Sequence, residues 1–232
     1  MPVPRIVPAL LSFTAGFVDS CTFLALFGLY VAQATGSFVV LGIDFVAHEE
    51  GFVIKVLAIP MFFAAGVFAT VFVAVLRARG HAPLPWALAL ECVLLATFLV
   101  LGLTLPMRNP NAPVTVVAAM LGLSAMGVQS ALVRLLMPGV ASTNVMTTNT
   151  TLFAIDTGEF LLGWHGKRGG NAAAAAQFAA ARERLSQLIP LGIGFFAGTV
   201  AGAFGYVWFG LWCLMAVLAL LAALIVWAVR SA

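Results

Sequence analysis

The chain of 232 residues is 63% hydrophobic and only 8% charged, with a mean hydropathy of +1.12, whereas about a quarter of the residues of a soluble domain are charged. That excludes an ordinary soluble fold. The net charge of +3 does not mark a nucleic-acid binder either, because the 11 basic residues lie between apolar segments, where they act as topology determinants.

Eight apolar segments can be drawn, at 7–28, 30–47, 52–76, 86–105, 114–136, 140–162, 187–207 and 209–229. Runs of this length suit a hydrocarbon core about 30 Å thick, and they lack the alternating pattern of an outer-membrane barrel. In lipid each backbone polar group needs an internal partner, so the spans are expected to be helical. The expected fold is an all-α polytopic membrane protein.

The first segment has the basic residue of a signal peptide, but Asp19 interrupts its apolar run and no small-residue cleavage site follows; it reads as a retained first helix. An ionised carboxylate inside a span costs at least about 2.5–3.5 kcal/mol, so something must offset Asp19. It is either a proton- or cation-coupling group facing an interior cavity, or an acid that locks helix one to a neighbour, for instance through Gln129.

The second segment is entered through Phe27-Gly28, a turn signal, and carries Gln33, Thr35, Gly36, Ser37 and Asp44. The sixth is entered through Met137-Pro138-Gly139 and carries Asn144, Thr147, Thr148, Asn149 and Asp156. Helices that begin or break at these triplets would aim free N–H groups at an anion, with Gly36 leaving backbone open to a ligand; freed carbonyls could hold a cation. The alternative is that small polar residues simply pack helices closely. Gln33 and Asn144 flank the triplets as further contacts. Asp44 and Asp156, near segment ends, read as solvated or capping residues.

Glu91 in the fourth segment is either a relay partner of Asp19 or an acid near the headgroups. Arg134, at the end of the fifth, is expected to snorkel to the interface. Gly194, Gly198 and Gly202 recur every four residues in the seventh segment and suggest tight helix packing. Cys21, Cys92 and Cys213 lie in apolar segments without the spacing of a metal or redox motif and read as packing residues. His48, His81 and His165 fall in predicted loops, too scattered for a metal site. No metal or cofactor is expected.

The two halves resemble each other. Ala15, Val18, Asp19 and Ser20 match Ala125, Val128, Gln129 and Ser130 at an offset of 110, and Thr35 and Asp44 match Thr147 and Asp156 at 112. Ile59-Pro60 with FFAAG (62–66) echoes Ile189-Pro190 with FFAG (195–198). The larger offset here reflects an inserted stretch, 163–187, which is expected to form a solvent-exposed cytoplasmic turn and short helix. The repeats are drawn as 1–112 and 113–232.

If all eight segments cross, eight basic residues lie inside and three outside. If the second and sixth are instead interrupted or re-entrant, about six spans remain. Nine basic residues then lie inside (Arg5, Arg77, Arg79, Arg134, Lys167, Arg168, Arg182, Arg184, Arg230), and Lys55 and Arg108 lie outside, a better fit to the positive-inside rule. Three spans per half would invert the second repeat, as in many secondary transporters.

The stretches AGFVDSCTFLALFGLYVAQATGSFVVLG (15–42) and MGVQSALVRLLMPGVASTNVMTTNTTLFAID (126–156) resemble the YoaK family of bacterial membrane proteins, grouped as domain of unknown function 1275. Its Gly-x-x-Asp corresponds to Gly16 and Asp19. Its Thr-Gly-Asn appears as Thr35-Gly36-Ser37, its Gly-x-Gln-Asn as Gly127-Val128-Gln129-Ser130, and its second Thr-Gly as Thr147-Thr148. The resemblance implies six spans in a bacterial cytoplasmic (inner) membrane and handling of a small molecule. It brings no established substrate or site.

The preferred expectation is a secondary transporter of a small polar or anionic solute, open to proton coupling, with a midplane site at the repeat interface and both termini cytoplasmic. A channel with two re-entrant segments, or a non-transporting assembly subunit, is the alternative. Without a Ser-His-Asp constellation, metal cluster or phosphate loop, an enzyme is not expected. The expected partners are the lipid bilayer, the solute and, as an option, further copies of the chain.

Overall fold

The computed structural model describes residues 4–47, 51–105, 107–168 and 172–231; His48 lies outside them. The described residues form eight α-helices and no strand: α1 (Ile6–Ala25), α2 (Ala34–Ala47), α3 (Phe52–Ala78), α4 (Pro83–Thr104), α5 (Pro113–Leu136), α6 (Met146–Arg168), α7 (Ala172–Phe209) and α8 (Leu214–Arg230), with one 3-10 turn at Gly210–Cys213 before α8. Among them, five continuous helical stretches are long and apolar enough to cross a membrane, the last running through α7 and α8 as Ala172–Arg230. The chain is a multi-span helical membrane protein.

Local chemistry sets the boundaries. Pro83 and Pro113 open α4 and α5 at the first helical position, where the N–H that proline lacks would have had no partner. Gly210 has φ +56° and ends α7, after which the 3-10 turn meets the C-terminal end of α4, with Leu211 against Gly102. From there α8 packs back along α4.

Two helix pairs form the frame. α1 and α7 run parallel: a Cβ added at Gly194, Gly198 or Gly202 would collide with the carbonyl oxygens of Ala9, Phe13 and Phe17 in turn. The glycines thus bring the two backbones into contact, as their spacing predicts. α3 and α5 also run parallel, with Gly51 near Pro110 at one end and Arg77 Nη2 donating to the Leu135 carbonyl at the other (3.0 Å). α1 and α5 run antiparallel: Gln129 Nε2 donates to the Leu11 carbonyl (2.9 Å), while Gly122 lies beside Thr22.

The stretch 163–187, expected as a turn and short helix, is helical on both sides of residues 169–171. α6 continues to Arg168 and α7 starts at Ala172. Phe178 packs on Phe160 and Trp164 (ring centroids 4.6 and 5.7 Å), so aromatic burial holds the two extensions together as a hairpin. His165 consequently sits on a helix rather than in a loop.

Candidate functional site

After α1 the chain turns at Phe27 and Gly28 (φ +55° and +79°) and runs back into the protein, burying Leu29, Val31 and Ala32. Asp19 holds this returning segment. Its Oδ1 accepts the N–H groups of Val31 and Ala32, both at 2.9 Å, and its Oδ2 accepts Gln33 Nε2 at 2.8 Å. The carboxylate is thereby offset by three donors, two of them main-chain. It does not lock onto Gln129.

The second half repeats the arrangement after α5. The chain turns at Gly139 (φ +84°) and buries Thr143 and Asn144. Gln129 Nε2 donates to Thr143 Oγ1 (3.3 Å) as well as to Leu11, so Gln129 and Thr143 occupy the positions of Asp19 and Gln33 at the offset of 110. Ser37 Oγ donates to the Tyr30 carbonyl (3.1 Å), and Asn149 Nδ2 to the Ser142 carbonyl (2.6 Å), both seven residues back. These side chains tie each new helix to the segment that leads into it.

The two segments meet. Asn144 Nδ2 donates to the Ala32 carbonyl (2.8 Å) and to Ser130 Oγ, and its Oδ1 accepts Ser142 Oγ (3.0 Å). Beside this junction is a cavity of about 180 Å³ lined by the first residues of two helices, Ala34 and Thr35 of α2 and Met146 and Thr147 of α6, together with Ser130 and Arg134. The opening N–H groups of a helix have no partner within it, and they carry the positive end of its dipole. Arg134 is exposed and has no hydrogen-bond or ion-pair partner among the described residues.

A second cavity, about 350 Å³, lies beside Asp19 and is lined by Ser20, Phe23, Tyr30 and Gln33, with Phe195 and Thr199 of α7. Gln33 lines both cavities.

Residues 7–227 match the family described as Protein of unknown function (DUF1275). The chain belongs to this family. It is the grouping that the polar motifs of α1 and α5 resemble. No curated protein and no solved structure matches this DUF1275 chain.

Of the sequence-derived candidates, Gln33, Thr35, Asn144 and Thr147 come together at the smaller cavity, and Asp19 and Gln33 at the larger. Ser37 and Asn149 donate to main-chain carbonyls, as does Gln129 Nε2, while the buried Gln129 Oε1 has no hydrogen-bond partner among the described residues. Gly36 does not open backbone to a ligand: a Cβ there would lie 2.9 Å from the Tyr30 ring, so its role is to admit that ring. Thr148 is exposed and lines neither cavity. Glu91 is fully buried, and neither oxygen of its carboxyl has a hydrogen-bond partner among the described residues, Asp19 included.

Two corrections follow from packing. Asp44 and Asp156 are buried rather than solvated, and they pair with bases on the next helix, Lys55 (2.9 Å) and Arg184 (2.6 Å). Arg134, exposed in the last turn of α5, lines the junction cavity. A helical signal for it existed, since Arg134 follows Ser130 by four residues and so shares its face.

Proposed function

We propose that this DUF1275 chain is a secondary transporter of a small anionic solute. Six helices, α1, α3, α4, α5, α7 and α8, cross a bacterial cytoplasmic membrane, while α2 and α6 are the returning arms of two re-entrant segments. The halves are inverted repeats. The antiparallel course of α1 and α5, which match in sequence, supports this reading, as does the exchange by which α1 packs on α7 and α5 on α3. Both termini are cytoplasmic, because this orientation puts nine basic residues inside and two outside.

The observation that carries the proposal is the junction cavity, which is lined by two helix N-termini from opposite halves and by Arg134. Inverted-repeat transporters bind anionic groups at such discontinuous helices near the midplane, and a guanidinium adds a planar fork suited to carboxylate or phosphate oxygens. Exposure of the solute to alternate faces then follows from rocking of one half against the other.

The test is thermal stability of the detergent-purified protein against small anions, and against neutral and cationic solutes of similar size, in wild type and Arg134→Gln. Ligand at a hundredfold excess over Kd stabilises by about 2.7 kcal/mol. An anion is expected to stabilise wild type, with the response lost in Arg134→Gln. Equal stabilisation of both proteins, or selective stabilisation by cations, would sink the site. Counterflow in proteoliposomes separates a transporter from a channel, which gives flux without counterflow.

A further inference from the structure

The two cavities lie toward opposite ends of antiparallel helices. The larger is walled by the C-terminal part of α1, at Asp19, Ser20 and Phe23, and the smaller by the C-terminal part of α5, at Ser130 and Arg134. Because α1 and α5 run in opposite directions, these ends face opposite sides of the membrane. Each cavity carries polar side chains, and Gln33 is a wall of both. Its Nε2 is hydrogen-bonded to Asp19 Oδ2, while Asp19 Oδ1 is fixed by two main-chain N–H groups.

We propose that the two cavities are the half-paths of one route across the membrane and that Gln33 is the partition between them, held in place by Asp19. This rests on the transporter reading, but it is a statement about access and can be tested without a substrate. The physical basis is that one partly buried side chain on a flexible stem separates two polar spaces, whereas the backbone around it is anchored. Release of the Gln33 amide from Asp19 lets its side chain swing without moving Val31 or Ala32.

The test uses single cysteines in full-length protein whose Cys21, Cys92 and Cys213 are replaced by alanine. The protein is reconstituted in one orientation and treated with a membrane-impermeant methanethiosulfonate from either side. Ser20→Cys is expected to react from one side only and Ser130→Cys from the other only, while Gln33→Cys reacts from both. Because Gln33→Cys removes the amide, a second experiment places Gln33→Ser in the Ser20→Cys and Ser130→Cys backgrounds, where each cysteine is expected to become reactive from both sides. The proposal is overturned if Gln33→Cys is silent or one-sided while the two serine positions react, or if Gln33→Ser leaves their sidedness unchanged. Failure of the anion to bind would leave this labelling pattern intact, so the two readings fail separately.

Discussion

Lys55 places its ammonium 2.9 Å from both carboxylate oxygens of Asp44, and both side chains are withdrawn from solvent. The second half repeats the pairing with Asp156 and Arg184, where the acid is again buried but the base is 47% exposed and also reaches Glu159. In each half, then, the helix that follows the turn, α2 or α6, is tied to the next helix by an ion pair.

Removing Lys55 strands the buried Asp44 carboxylate in a low-dielectric setting, which costs about 3–5 kcal/mol. Lys55→Ala should therefore lower the melting temperature sharply. Arg184→Ala should cost less, because its guanidinium is half in solvent. Melting curves of purified protein check the order.

Asp19→Ala removes the acceptor for two main-chain N–H groups and one amide, at about 1–3 kcal/mol for each buried donor left unpaired. Asp19→Asn keeps an oxygen for Val31 and Ala32, and the Gln33 amide can turn to present its own oxygen. Asp19→Asn should therefore melt well above Asp19→Ala; equal destabilisation would refute the role of Asp19 as the anchor of the returning segment.

Glu91 is a fully buried acid without a hydrogen-bond partner among the described residues, so an apolar side chain of similar size should suit its position better. Glu91→Leu is expected to raise the melting temperature by removing a desolvation cost of about 1–3 kcal/mol. Melting curves of wild type and variant check the direction.

Gly198→Val would drive a side chain into the Phe13 carbonyl and part α1 from α7, so the folded yield by gel filtration should collapse. Gly192→Ala, on the same helix with open space around it, should fold normally and gain up to about 1 kcal/mol from helix propensity.

Much of this protein follows from short-range chemistry. Apolar run length required membrane-spanning helices, because unpaired backbone in lipid is prohibitive, and Phe27-Gly28 and Pro138-Gly139 marked the turns before α2 and α6. The family motif and the glycine spacing of α7 were equally legible, since each depends on residues within one or two helical turns. Contacts across the fold were not. Nothing local says that Asp19 will be consumed by N–H groups 12 and 13 residues later, that Asp44 will meet Lys55, or that the Tyr30 ring will claim the space over Gly36. A polar side chain on an apolar helix can satisfy itself at a carbonyl, at a charge or at a cavity. Which of these it meets is set by the rotation of the helix against its neighbours, and that is an outcome of packing the whole chain.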